Sequence, residues 1–198
     1  VRWVGGLGLL ALLAVIFHGL WQGAGRPAGY SAGRFPGWLR SPIYYLFSLI
    51  IFFGGCALLW QPIPLSWPDS ARAAALLFGS VSFWPGLGLA MWGRLTLGRM
   101  YFVSTALGAH LFAGHQLVMQ GPYAIVRHPM YVGLTATVLG GLLIYRTWTW
   151  VLLLVLPIVL GLRARREEQA LRAQFGAAWQ AYCRRVPAFV PRWRPPSP

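Results

Sequence analysis

"RHPMYVGLTATVLGGLLIYRTWTWVLLLVLPIVLGLRARREE", residues 127–168, consists of two apolar runs separated by little more than Arg146 and bounded at both ends by charged residues. The first run opens on a proline, which suits the first turn of a helix: its missing N–H costs nothing there and its ring presets φ. A connection as short as the one at Arg146 allows only an antiparallel helical hairpin, so the chain returns to the side it left. "RARREE" is therefore expected beside "RHPMY", although a whole hairpin lies between them in sequence.

Working outward, hydropathy marks five candidate spans, at roughly 3–21, 43–60, 71–93, 129–145 and 147–162, each near the ~20 residues that cross a bilayer core, the last two being the shortest. Composition agrees. Of 198 residues 57% are hydrophobic and only 10% charged, with eleven tryptophans, far from the balance of a soluble domain. The expected fold class is all-α, an integral membrane bundle of five transmembrane helices. It is read as one membrane domain over 1–198, with a three-helix part at 1–93 and a catalytic part at 94–198. The first span carries a single Arg2, a long apolar run and no small-x-small cleavage site before Trp21, so it is read as a retained helix rather than a signal peptide.

The net charge of +14 comes from seventeen arginines and no lysine, set against Asp69, Glu167 and Glu168. In a soluble chain that excess would suggest nucleic acid. Here the arginines lie between and after the spans, so bilayer orientation explains them and no nucleic-acid partner is expected. With the N-terminus outside, fourteen arginines fall on the inner side and only Arg2, Arg72 and Arg146 on the outer, as the positive-inside rule requires. The loop after the third span and the C-terminal tail then share the cytoplasmic side. Arginine used to the exclusion of lysine points to a GC-rich, bacterial genome and hence to an inner membrane. Cys56 and Cys183 form no CxxC motif, and neither a disulfide nor a metal site is expected of them.

Residues 22–42 are rich in glycine and proline and read as an irregular connector. Residues 94–128 are too polar and glycine-rich to span, and a loop of that length is usually functional. "GLG" at 86–88 is no nucleotide fingerprint, since no strand precedes it and the third glycine is missing. Together with Pro85 it predicts a kink or a close helix contact. From 163 to 185, Ala164, Leu171, Phe175, Trp179 and Tyr182 lie on one face of an amphipathic helix.

Two constellations can carry chemistry. In the first, His128 falls at the N-cap of the fourth span with Tyr131 on the same face, beside unpaired backbone N–H groups and the positive end of the helix dipole. Arg127 adds a fork able to grip a carboxylate, so the junction is expected to attract an anion. As plain boundary residues Arg127 and His128 would only snorkel and cap, but His115 and Tyr123 in the same loop argue for more. The second constellation is Arg163 with Glu167 and Glu168. Glu168 can pair with Arg172 as an ordinary helix-surface bridge. Arg163 and Glu167 stand where the hairpin returns, and ionisable groups at that depth default to function. His18 is expected to be a buried, hydrogen-bonded histidine within its span, and His110 to face the loop interior. Four scattered histidines without an HxxxH leave haem or metal carriage as a minor alternative, and no metal ligand is assigned.

"HQLVMQGPYAIVRHPMY" at 115–131, followed after the hairpin by "EEQALRAQFGAAWQAYCRRVPAFVP" at 167–191 and preceded by "WGRLTLGRMY" at 92–101, resembles the isoprenylcysteine carboxyl methyltransferase family. Related motifs occur in membrane phospholipid N-methyltransferases. The resemblance covers about residues 90–190. It implies an integral-membrane enzyme that uses S-adenosylmethionine without a Rossmann fold, releases S-adenosylhomocysteine, and methylates a lipophilic or small acceptor. A carboxylate or thiol is the leading acceptor class and a phospholipid amine the alternative. It further implies that His115, Gln116, Leu117, Val118, Tyr123, His128, Pro129, Met130 and Tyr131 line the cofactor and that Glu167 binds it from the tail side. Arg163 would hold the acceptor, which makes Arg163 and Glu167 the catalytic pair. The N-terminal half matches only in being helical, so acceptor selectivity is expected to lie there.

Overall fold

The computed structural model describes residues 2–24, 28–33, 42–101, 103–104, 108–112 and 114–192. Among the described residues six α-helices are present: α1 (Arg2–Ala24), α2 (Pro42–Leu58), α3 (Asp69–Leu97), α4 (Pro129–Tyr145), α5 (Trp148–Leu153) and α6 (Leu156–Arg185). Three short strands accompany them: β1 (Ala28–Gly33), β2 (Val103–Ser104) and β3 (Gly108–Phe112).

Two helical segments, Asp69–Met100 and Trp148–Arg185, are long and apolar enough to cross a bilayer; Val4–Gly19, Leu46–Leu58 and Pro129–Tyr145 are apolar but shorter. The exterior is apolar as well, with Phe47, Ile51, Leu77 and Phe78 all at least 60% exposed. An outer surface of this kind suits hydrocarbon rather than water.

The core is the contact between α3 and α4, and glycine makes it close. Gly79 and Gly86 stand seven residues apart on α3 and face Gly140 and Gly133 on α4. A Cβ on Gly86 would lie 2.8 Å from the Gly133 carbonyl oxygen, and one on Gly140 would lie 2.5 Å from the Phe83 nitrogen. Backbones therefore touch, as small-residue helix pairs do in membranes. Ser82 Oγ donates to the Ala136 carbonyl across the seam at 2.9 Å. The close helix contact expected near Pro85 occurs at Gly86. Gly88 faces open space, and α3 continues through Pro85 as one helix. Phe83, Tyr145 and Trp150 fill the far end, with the last two rings stacked at 5.2 Å.

The predicted fifth span and the predicted tail helix turn out to be nearly continuous. α5 is only six residues, and after a tight turn α6 runs thirty residues, carrying Arg163, Glu167 and Glu168 on one rod. Gly176, at φ 50° and ψ −116°, bends that rod; without a Cβ it adopts a conformation other residues resist. Beyond the bend, Trp179 and Tyr182 are buried.

The helical expectation holds for the bundle, and one small sheet is added to it. β1, β3 and β2 form an antiparallel sheet in that order, with Ser31 opposite His110 and Val103 also opposite His110. Both strands of the first pair come from segments read as irregular. Both are short, and β1 is built largely of glycine, alanine and serine, so neither offers the alternating run that announces a strand, and their partners are remote in sequence. Their polar backbone still needs hydrogen bonds where it leaves the apolar layer, and pairing supplies them. The sheet brings the segments after α1 and after α3 to one end of the molecule. At the other end, Trp148 donates its backbone N–H to Gln61 and Ile63 donates to Arg146, so the α2–α3 connection packs against the hairpin turn. His18 is exposed on α1 rather than buried. The side chain of His110 lies outside the described set.

Candidate active site

α4 begins as the proline predicts, with His128 at the N-cap and Pro129 in the first turn. His128 makes no side-chain cap. Its ring instead stacks on Tyr131 at 5.5 Å and on Phe189 at 5.2 Å, and its Nε2 lies 3.0 Å from Glu168 Oε1. The hairpin therefore does bring "RARREE" to "RHPMY". The Tyr131 hydroxyl donates to Glu167 Oε1. His128 Nδ1 stands 3.8 Å from Glu167 Oε2, and Arg163 Nη2 stands 3.9 Å from Glu167 Oε1. The Glu167 side chain is only 12% exposed, so its charge is held among partners rather than by water.

The anion drawn to this helix start belongs to the chain itself. Arg127 grips Glu168 Oε1 through Nε at 3.0 Å and Nη2 at 2.8 Å, and also donates to the Val186 carbonyl at 2.8 Å. The expected fork for a ligand carboxylate is thus closed on Glu168, and Glu168 turns here rather than serving only as a surface partner of Arg172. The backbone N–H groups of Arg127 and His128 donate to the carbonyls of Pro187 and Ala188 at 2.8 and 3.1 Å. The segment after α6 is strapped across the start of α4. Tyr182 adds a second tie by donating from its hydroxyl to the Tyr123 carbonyl at 2.7 Å. Burial, reinforced by the negative charge of Glu167, raises the Tyr123 phenol well above its ordinary pKa, so it stays a neutral donor.

The strap yields a direct test. Arg127→Gln leaves Glu168 and the Val186 carbonyl short of a charged donor, a loss of about 2 kcal/mol once solvent access to Glu168 is allowed for. Trypsin cleavage at Arg184 and Arg185 is expected to accelerate severalfold in this variant. An unchanged digestion rate would mean that Arg127 does not hold the tail.

These groups border a cleft. Of the residues predicted to line a cofactor, His115, Gln116, Leu117, Val118, Tyr123, His128, Met130, Tyr131 and Glu167 all face it. Pro129 does not: it is fully buried beside Gly93, because a ring in the first helical turn packs against the neighbouring helix. Arg163 is not in the wall either. It stands behind Glu167, with its guanidinium 5.7 Å from the Tyr131 ring centre. Sequence reasoning missed Leu97, Tyr101, Leu171, Trp179 and Tyr182 as wall residues. The last two were legible as one helix face, but the bend at Gly176 that turns them inward was not. Among the described residues no group of three His, Cys, Asp or Glu is arranged to hold a metal ion.

An apolar helical bundle with a cleft where a loop, a helix start and a tail converge defines a membrane-type scaffold. The phospholipid methyltransferase family matches residues 74–178, more than half of the chain, and the chain belongs to that family. It is similar to Methanethiol S-methyltransferase 2 of Bradyrhizobium diazoefficiens, 33% identical over 146 residues, which cover 67% of this chain and 52% of that protein. Protein-S-isoprenylcysteine O-methyltransferase of Schizosaccharomyces pombe is 38% identical over 79 residues, 39% of this chain and 34% of the relative. Delta(14)-sterol reductase TM7SF2 of Mus musculus is 35% identical over 84 residues, 37% and 18% of the two chains. The chain thus spans about half the length of the first of these and less of the others. The resemblance read from the 115–131 and 167–191 motifs holds. Because one relative is named a reductase, the scaffold alone does not choose the reaction; the residues of the site must.

Proposed function

We propose that the chain is an S-adenosylmethionine-dependent methyltransferase working from the bilayer on a lipophilic or small acceptor with a carboxylate or thiol. The observation that carries this reading is the cleft in which a nearly buried carboxylate, Glu167, is framed by the rings of Tyr131, His128 and Tyr123 and by aliphatic Leu117, Val118 and Met130. Such a donor set suits a ligand that is cationic at its reactive atom and aromatic at its other end. A fixed carboxylate and ring faces favour a sulfonium, and the aliphatic wall suits a purine. When bound, the cofactor supplies an electrophilic methyl group on sulfur.

The chain's own part is alignment and exclusion of water. Tyr131 holds Glu167 in one orientation, and Arg163 behind it offers a guanidinium to an acceptor carboxylate. A carboxylate brings an available electron pair and leaves no proton to remove. A thiol or an amine must give one up, and His128, the nearest candidate base, is already engaged by Glu168 at 3.0 Å, which favours the carboxylate. The cleft has only about 80 Å3 of free room, well under the ~300 Å3 or more of ordinary ligand sites. Binding would therefore move the strap or the 114–120 loop outward. Arginine distribution supports a multi-pass arrangement of five helices with this cleft on the cytoplasmic side of a bacterial inner membrane.

The names of two relatives, an S- and an O-methyltransferase, support a thiol or carboxylate; the family's own description favours a second reading, a phospholipid amine. A screen with labelled cofactor in detergent separates them, using small thiols, prenylcysteine analogues and ethanolamine lipids. Label in a thiol or carboxylate ester is expected, and label in the ethanolamine lipid alone would favour the second reading. Calorimetric silence toward S-adenosylmethionine would sink both.

A further inference from the structure

A second cavity, of about 510 Å3, lies between α1 and the end of α3, walled by Ala14, Val15 and Leu95 and by His18, Arg94 and Arg99. Most of its lining surface is apolar, and among the described residues the polar side chains that border it are those of His18, Arg94 and Arg99. Arg94 is only 5% exposed. Among the described residues no carboxylate pairs with it, and its Nε has no hydrogen-bond partner. What it has is one long bond from Nη1 to the Gly98 carbonyl at 3.4 Å and the Tyr101 ring 4.4 Å from its guanidinium carbon. A buried cation so weakly compensated is costly. The fold nevertheless makes room for it: the guanidinium lies against the backbone of α1 at Gly19, where any Cβ would overlap Nη2.

Depth identifies what completes the site. Arg94 is three residues from the end of α3, about 5 Å along the axis, so in a bilayer spanned by α3 its level would be that of lipid headgroups rather than mid-bilayer. Leu95 beside it is 61% exposed, which leaves the cavity open sideways to acyl chains. A guanidinium fork flanked by a second arginine matches the several oxygens of a phosphate.

We infer that this cavity binds the phosphate headgroup of an anionic phospholipid from the surrounding bilayer, with Arg94 as its buried anchor and Arg99 and His18 at its rim. The site is separate from the cleft and does not depend on methyl transfer. Tyr101 joins the two, since its ring packs under Arg94 and also borders the cleft. An occupied headgroup would fix Tyr101 from behind.

The test is native mass spectrometry of the full chain from neutral detergent with equal phosphatidylglycerol and phosphatidylcholine. Wild type is expected to retain one phosphatidylglycerol in preference to phosphatidylcholine, and Arg94→Gln to lose that preference by about tenfold or more, the scale of one charge-assisted hydrogen bond. Val15→Trp, which plugs the cavity without touching a charge, is expected to lose the adduct while its thermal midpoint stays unchanged. Arg94→Lys keeps the charge should the glutamine variant not fold, and is expected to retain part of the preference. Millimolar inorganic phosphate is expected not to displace the lipid; displacement would assign the site to a free anion and overturn the lipid. Equal retention of phosphatidylglycerol in wild type, Arg94→Gln and Val15→Trp would overturn the site itself.

Discussion

Glu167→Gln is expected to lower methyl transfer by about a hundredfold or more while leaving the fold intact, the scale set by removing a buried charge that is hydrogen-bonded in place. Glutamine keeps the size of the side chain and can still accept from Tyr131, so packing at the start of α4 survives. What disappears is the negative charge facing the cleft, 12% exposed and held within 3.9 Å of both Arg163 and His128. Calorimetry with S-adenosylmethionine and initial rates on the acceptor found by the screen would read the two consequences separately. A variant with normal cofactor affinity and normal rate would remove Glu167 from the proposed site. Loss of rate with affinity retained would move its role from cofactor to acceptor. Tyr131→Phe serves as the companion: it keeps the ring that stacks on His128 but removes the donor, so a smaller loss in the same direction is expected.

Gly140→Leu is expected to break the α3–α4 seam. A Cβ there would meet the Phe83 nitrogen at 2.5 Å and the Gly79 carbonyl oxygen at 2.6 Å, and both neighbours are backbone, which cannot swing aside. Overpacking ordinarily costs about 1–3 kcal/mol. Here the helices must separate, so a loss at or above the upper end of that range is expected, seen as a lowered thermal midpoint in detergent. Gly88→Leu is the control. Nothing lies within 4 Å of a Cβ at that position, and its midpoint should match wild type. If both variants behaved alike, the seam would not be the element holding the bundle together.

Much of this architecture is legible in the residues, because the signals involved are local. Pro129 after His128 announces the start of α4, and the tight connection at Arg146 forces the hairpin. That hairpin carries Glu167 and Glu168 back to Arg127 and His128. The spacing of three between His128 and Tyr131 likewise puts them on one face, where their rings stack. Most of the cleft wall, His115–Val118 included, is what the resemblance of the 115–131 motif implied.

What escapes the sequence are pairings between remote segments and the choice each side chain makes among several partners. Strands as short as these carry no usable alternating pattern, so the β1–β3–β2 sheet is decided by backbone groups needing partners where two connectors meet. Arg127 had a ligand carboxylate and Glu168 equally open to it, and only the approach of α6 settled on Glu168. The amphipathic face bearing Trp179 and Tyr182 is written in the chain, but its direction depends on one glycine at positive φ. Composition and periodicity determine that this protein is helical, apolar and hairpin-built, because each residue's solvent and each turn's length are local facts. Tertiary structure alone decides that its tail is a strap, that Pro129 and Arg163 stand outside the cleft wall, and that Arg94 is buried without an acid, because those depend on which surfaces touch.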